Sequence, residues 1–365
     1  MLGVLLGGAI VTYVSWRWIF WINVPIGAVA LALAQRVLRD RGEPIRRRLD
    51  PLGMLTLGLG LSGVLWAMTE LAAGPPAATQ IGWLAGGAAL LAAFVLIELR
   101  HKEPTVDLAL FRIPAVAPSL LAALLQSLGS FAVLFLVIMY LQGPRGLSPI
   151  DASLLMLPGY LIGAAVGPYA GRLADRLWPA IPATAGLGIS VVALVVFTRM
   201  TTTSSLWLPA IGNVVIMVGG SVFYPANSSA VMKASPPDRL GTASGVLRTF
   251  ASVGMVFSFT TAILVAAHSI SRGTAFAIFV GTTSLHGPLA IAFTSGFRAA
   301  FYTMMGIMAL AAVLSAIRGR VGAAPGPRAH DQAGPALRLT RPNSGSRRRW
   351  PPIGRRWPRP RWTSR

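Results

Sequence analysis

The sequence predicts an all-α membrane protein, a helical bundle of about ten transmembrane helices, on three observations. Hydrophobic side chains make up 54% of its 365 residues and charged ones only 12%, about half the charge of an ordinary soluble domain. The apolar residues fall in runs of bilayer length. Lysine and arginine collect in alternate connections between those runs.

Hydrocarbon offers no hydrogen bonds, so a crossing segment must pair its own backbone groups, and a helix does so with roughly 20 apolar residues. Such runs lie at about 2–14 (short), 17–38, 53–73, 81–99, 115–141, 151–170, 179–198, 206–231, 242–267 and 297–318. A soluble all-α protein carries one or two all-apolar helices in its core, far fewer than this. The first run has neither a basic start nor a small-residue cleavage site before the next span, so it does not read as a signal peptide.

Orientation follows from where the basic residues fall. With an inside start and strict alternation, the inside connections 36–50, 100–114, 171–178 and 232–241 hold 13 Lys and Arg, and the outside ones hold five: Arg17, Arg145, Arg199, Arg272 and Arg298. Both termini are therefore expected in the cytoplasm, and the uncharged 74–80 and the Thr/Ser/Gly-rich 268–296 outside. Trp16, Trp18 and Trp21 cluster where indole rings anchor at a membrane interface.

A net charge of +21 suggests nucleic acid as a partner until it is located. From Arg318 to Arg365 there are 13 Arg against one acid, Asp331, so 12 of the 21 net charges sit at one end and no nucleic-acid partner is expected. From 319 the composition turns to Pro, Arg, Gly and Trp, which cannot bury a core and reads as a disordered tail. Arginine beside aromatics suits anionic lipid or RNA, and a reading-frame shift in GC-rich DNA generates the same text.

Enzyme chemistry finds little footing. With no cysteine, disulfides, thiolate catalysis and Cys-based metal sites are excluded, and His101, His268, His286 and His330 have no ligand spacing. No H-E-x-x-H and no phosphate loop occurs. Neither an enzyme nor an ATP-driven pump is expected, and no cofactor or metal.

Three stretches carry more than hydropathy. The first is Gly3-Val4-Leu5-Leu6-Gly7-Gly8, followed by Ser15-Trp16-Arg17-Trp18-Ile19-Phe20-Trp21-Ile22-Asn23-Val24-Pro25-Ile26-Gly27. Glycines let two helix backbones approach closely, and Asn23 and Pro25 put a polar group and a kink within one turn. The second is Gly159, Gly163, Gly167 and Gly171, spaced by four and so on one helix face, ending in Gly171-Arg172-Leu173-Ala174-Asp175-Arg176. Asp175 suits the positive start of the next helix, and Arg172 and Arg176 suit acids or a helix C-terminus, so that the contacts could latch one conformation. The third is Gly241-Thr242-Ala243-Ser244-Gly245-Val246-Leu247-Arg248-Thr249-Phe250 with Gly254.

The first stretch resembles the fifth and sixth spans of the 14-span drug:proton antiporter branch of the major facilitator superfamily. Gly171 to Arg176 resembles the superfamily's loop signature between the second and third spans of a six-span half, and 241–254 its fifth span in the C-terminal half. Two departures stand out. Val4 takes the place of the proline that follows the first glycine in the family, removing a kink linked to leak control. Trp178-Pro179 interrupts the second signature, which usually runs on with glycine and basic residues.

The resemblance implies a major-facilitator-type bundle laid out as follows: 1–38, the last two spans of an N-terminal bundle; 39–52, a basic cytoplasmic linker; 53–99, the inserted helix pair; 100–114, a second linker; 115–318, a complete six-helix bundle; and 319–365, the tail. Four spans of the first bundle are then missing, and the sequence reads as N-terminally truncated.

The implied activity is proton-coupled efflux of small amphipathic or hydrophobic compounds across the plasma membrane by alternating access. The alternative is a non-transporting membrane remnant or a partner within a membrane complex. Gly3, Gly7, Gly8, Arg17, Asn23, Pro25, Gly27, Gly167, Gly171, Arg172, Asp175 and Arg176 are the candidate structural or gating residues. Coupling needs a carboxylate that can be protonated from either side, and Glu70 is the best candidate, although it equally suits the headgroup level; Glu98 beside Arg100 and Lys102 reads as an interfacial ion pair, and Asp107 falls in a linker. Gln126, Asn213 and Asn227 lie at depth, suited to a cavity or to interhelical hydrogen bonds. Arg248 suits a cavity or a snorkelling position.

Overall fold

A computed structural model of the chain describes residues 2–37, 50–71, 78–100, 108–267 and 285–321. Residues 74–77 of the expected outer stretch 74–80, 268–284 of the expected 268–296, 39–49 and 101–107 of the two linkers with Asp107 among them, and the tail beyond 321 lie outside the described residues. Among those residues the only secondary structure is helical.

The helices are α1 (Leu2–Tyr13), α2 (Trp18–Trp21), α3 (Asn23–Val37), α4 (Pro51–Leu71), α5 (Ala78–Arg100), α6 (Val116–Gln142), α7 (Pro149–Arg176), α8 (Ala180–Phe197), α9 (Trp207–Ala234), α10 (Leu240–Ala267) and α11 (Gly287–Val321). Short 3-10 turns at Leu108–Arg112 and Pro237–Arg239 precede α6 and α10. Nine stretches among the described residues are long and apolar enough to span a bilayer. The short first run is helical but has only 12 residues and is not one of the nine.

α6 is the central element, flanked by α9, α10 and α11, while α9 also packs on α7 and α8, and α8 on α11. α4 and α5 pair with each other and lean on the bundle through α4 against α10, and α1 lies on α7. The main core joins α6 to α9 and α11 around Tyr140, Phe197, Phe223, Phe293, Phe297 and Phe301, with the Phe197 and Phe301 rings stacked 5.5 Å apart. A smaller one gathers Phe94, Leu110, Val116, Leu120, Val231 and Leu247.

Small residues set the closest crossings. At the α8–α9 crossing a Cβ on Gly186 would stand 2.6 Å from the Gly219 carbonyl oxygen and from the Phe223 nitrogen. On α10, a Cβ on Gly254 would collide with the Leu124 carbonyl of α6. Only glycine allows this approach, which brings backbone and side-chain atoms into dispersion contact where no hydrophobic force acts between helices.

Connections that strict alternation puts on one side do meet. At the Gly146 end, the Tyr140 hydroxyl donates to the Thr201 carbonyl and Arg145 Nη1 to the Thr202 carbonyl, both at 2.6 Å, and Leu285 N donates to the Gly143 carbonyl at 3.1 Å. Gly146 turns this loop with φ of 63°, a conformation that favours glycine. At the opposite end, Lys233 Nζ reaches the Ala174 carbonyl in the last turn of α7 at 3.4 Å, where a cation also meets the negative helix terminus. Polar ties at both ends and apolar sides between them are the pattern of a bundle threaded through lipid. None of the window Trp18–Val37 is buried, and large side chains such as Trp207 and Tyr169 stand exposed.

Three of the boundaries that differ from the sequence reading bear on its candidates. The 171–178 connection is shorter, because α7 runs through Arg172, Asp175 and Arg176: Arg, Leu and Ala are good helix formers, and the break comes only where Pro179 disfavours helix at Trp178. α7 also starts at Pro149 rather than 151, since Ser148 caps it by accepting from Asp151 N at 3.2 Å with proline at the first helical position. The last helix begins at Gly287, ten residues before the expected 297, so the end of the stretch expected outside is helical.

Candidate functional site

One face of the bundle is hollow. α6, α7, α9 and α10 border an open-sided cavity of about 510 Å³, within the range of small-molecule sites. Its wall is largely apolar, with Phe131, Ile216, Met217 and Met255, and is interrupted by Gln126, Ser130, Ser221, Tyr224, Arg248 and Ser252. Gln126 and Ser130 lie one turn apart on α6, and Gln126 Nε2 donates to Ser130 Oγ at 3.0 Å. Pro225 in α9 has no N–H, so the Ser221 carbonyl loses its helical donor beside the cavity. None of the lining residues is acidic.

Arg248 carries the cavity's one formal charge. It sits eight residues into α10, about 12 Å along the axis from Leu240 at 1.5 Å per residue. Its Nη1 donates to the Tyr224 hydroxyl at 3.3 Å. Beyond Arg248 a second hollow of about 420 Å³ opens between α4 and α10, lined by Leu61, Leu65, Val256 and Phe257, and Arg248 borders both.

The two asparagines do not line these hollows. Asn213 Nδ2 donates to the Met156 carbonyl at 2.7 Å, joining α9 to α7, and its Oδ1 is buried without a partner. Asn227 Nδ2 donates to the Ser119 carbonyl at 3.1 Å, joining α9 to α6.

Asn227 belongs to a cluster that sequence reasoning missed. Arg318, counted with the basic tail, is 2% exposed, and its Nη1 donates to Ser119 Oγ at 2.6 Å and to Asn227 Oδ1. Nε and Nη2 are buried without a hydrogen-bond partner. The signal was present: Ser119 three residues into its helix, Asn227 near the end of its own and Arg318 at the end of the last span all share one level of an alternating bundle.

The remaining candidates fall into separate regions. Gly159 and Gly163 press against α9, where a Cβ would meet the Asn213 side chain or stand 3.1 Å from Ser221 Oγ; Gly167 and Gly171 have nothing within 4 Å, and Gly167 borders the cavity. Arg172 lies over the Tyr169 ring at 5.9 Å, and Asp175 and Arg176 are exposed. Gly3 and Gly7 lie in α1, and the crowded position there is Gly8, where a Cβ would strike the Ser153 hydroxyl of α7. Arg17 stands 5.8 Å over the Trp16 ring, Asn23 Nδ2 bonds back to the Ile19 carbonyl at 2.7 Å, and Pro25 and Gly27 sit in the first turns of α3. Glu70 is half-buried at the end of α4, its backbone carbonyl 3.5 Å from Gln80 Nε2 of α5, and Glu98 is buried in α5.

A hollow-faced bundle of bilayer-length helices with an oily, sparsely polar wall is the architecture of a membrane carrier. The family model described as the Major Facilitator Superfamily matches residues 1–259, and the chain belongs to that superfamily. It is a multi-pass membrane protein of a transporter family and not an enzyme. It is 26% identical over 263 residues to the lincomycin resistance protein LmrB of Listeria monocytogenes, covering 71% of this chain and 56% of that protein. It is 29% identical over 265 residues to the multidrug resistance protein Stp of Mycobacterium tuberculosis (70% and 48% covered) and 27% identical over 256 residues to the tetracenomycin C resistance and export protein of Streptomyces glaucescens (69% and 47%). The chain spans about half the length of these curated relatives.

Proposed function

We propose that the protein is an efflux transporter of small amphipathic or hydrophobic compounds, working by alternating access at the plasma membrane. The observation that carries this reading is the cavity among α6, α7, α9 and α10, whose wall is mostly apolar with a few dispersed hydrogen-bonding groups. Such a wall desolvates an oily body and satisfies a small number of polar atoms without demanding one shape. Relatives named for drug resistance and export support it.

Within this reading the chain falls in the 14-span drug:proton branch, with α4 and α5 as the inserted pair, α6 to α11 spanning the C-terminal bundle, and the Ser235 end and both termini in the cytoplasm. Protons are the coupling ion, and Glu70 is the carboxylate proposed to carry them. Gly167 and Gly171 on the open half of the α7 seam, with Arg172, Asp175 and Arg176 beyond them, are proposed as gating elements, since they have room to slide where Gly159 and Gly163 do not.

The test is accumulation of Nile red, a neutral amphipathic dye, in cells producing the full chain. Lower accumulation than in cells lacking it, abolished by a protonophore, is expected; equal accumulation rejects the reading. One observation favours a second reading, a subunit of a membrane complex: no residue of α3 is buried, and among the described residues its main contact is with α2. A stable higher-mass complex on native gels together with unchanged dye levels would select it.

A further inference from the structure

The proposed efflux cavity has an asymmetry of charge: a guanidinium on its wall and no carboxylate facing it. We propose that this cavity selects amphipathic anions, organic acids with an apolar body and a carboxylate or similar oxyanion, and that Arg248 with Tyr224 is the pair that reads the anionic head. The inference rests on the efflux reading for its setting, although its own content is a binding preference.

The geometry supports it at each step. A guanidinium has five N–H donors in a planar fork that matches a carboxylate, and among the described residues the Arg248 head has one hydrogen-bond partner, the Tyr224 hydroxyl, through a single bond at 3.3 Å. The phenol accepts that bond, which leaves its own O–H to donate to a second oxygen of the same head. Arg248 and Tyr224 come from different helices, α10 and α9, and both line the larger hollow. Behind the head, Phe131, Met217 and Met255 line the wall against which an apolar body rests, and methionine adapts to varied shapes. Gln126, Ser130 and Ser252 add neutral polar groups but no charge, so a cationic amphiphile finds repulsion from Arg248 and no counter-charge on this wall. Arg248 is exposed and borders two apolar hollows, so an anionic head can reach its guanidinium, and an apolar body laid in the hollow shields the pair from water.

The experiment uses the full chain in phosphatidylcholine nanodiscs with three ligands of one shape: 1-naphthylacetate, the neutral 1-naphthylacetamide and the cationic 1-naphthylmethylammonium, measured by equilibrium dialysis. The acid is expected to bind at least tenfold tighter than the amide, and the ammonium more weakly than either. Arg248→Gln should bring the acid down to the affinity of the amide while leaving the amide unchanged, which also shows that the variant is folded. Arg248→Lys should keep part of the preference, and Tyr224→Phe should lower acid affinity severalfold.

Equal binding of acid and ammonium, no binding of any of the three, or an acid affinity unmoved in Arg248→Gln overturns the proposal. Loss of acid binding when a fifth of the lipid is replaced by phosphatidylglycerol would assign the pair to a lipid headgroup and overturn it as well. No gradient enters this measurement, so selective binding without dye efflux rejects the transport reading alone, and dye efflux without acid preference rejects this one alone.

Discussion

Arg318, in the last turns of α11, donates to the Ser119 hydroxyl near the start of α6 at 2.6 Å, and the same nitrogen donates to Asn227 of α9, so one buried cation fastens three helix ends. A buried charge held only by neutral acceptors is a point of leverage: removing an acceptor strands it, while removing the charge relieves it. Asn227→Ala is expected to destabilise the folded protein by about 3 kcal/mol. Arg318→Met, which replaces the head by apolar volume, should fall within about 1 kcal/mol of the parent. Thermal unfolding of the purified full chain in detergent checks the order, and a larger loss for Arg318→Met contradicts it.

The glycine seam of α7 is expected to divide in two. Gly159→Ala should lower the unfolding temperature, because its Cβ would meet the Asn213 side chain, at a cost of about 1 to 3 kcal/mol. Gly167→Ala, with open space around it, should leave that temperature unchanged to within about a degree and, if the seam gates transport, slow dye efflux. Equal destabilisation by both substitutions would contradict the division.

Asn213 and Gln126 should behave in opposite ways. Asn213 spends its amide on the Met156 carbonyl away from the hollow, so Asn213→Ala should cost about 1 to 3 kcal/mol in stability and leave the affinity for 1-naphthylacetamide intact. Gln126 lines the cavity, so Gln126→Ala should weaken that affinity about threefold to tenfold with little change in stability. Dialysis and unfolding on the same samples separate the two, and a binding defect in Asn213→Ala would overturn the assignment.

At the Gly146 end, the bond from the Tyr140 hydroxyl to the Thr201 carbonyl ties the end of α6 to the loop that follows α8. Tyr140→Phe keeps the ring in the core and is expected to cost about 1 kcal/mol, the net worth of a neutral hydrogen bond. An unfolding midpoint unchanged from the parent would show that the tie contributes nothing.

Much of the fold was legible because hydropathy and bilayer thickness act on every span at once. The runs at 115–141 and 206–231 fall within α6 and α9 to within a few residues, since long apolar segments leave little choice of structure. Ends were harder: Ser148 and Pro149 start α7 early through a cap, and Arg172 to Arg176 continue it because nothing local stops a helix before Pro179. The site was legible only in type. Gln126 and Arg248 face the hollow while Asn213 and Asn227 face neighbouring helices, and hydropathy does not distinguish the two directions around a helix that is apolar on all sides. Arg318 looked like part of a basic tail, because its burial depends on partners 199 and 91 residues away along the chain.

The sequence contains no cysteine, so single introduced thiols report on the central claim without interference. Ser252→Cys on the cavity wall and Ser190→Cys, sealed between α8 and α9, are to be labelled in membranes with a water-soluble maleimide, with and without Nile red. The account predicts labelling at 252 that Nile red slows, and no labelling at 190. Labelling at both positions alike, or at 252 with a rate indifferent to the dye, would contradict a substrate cavity at this face of the bundle.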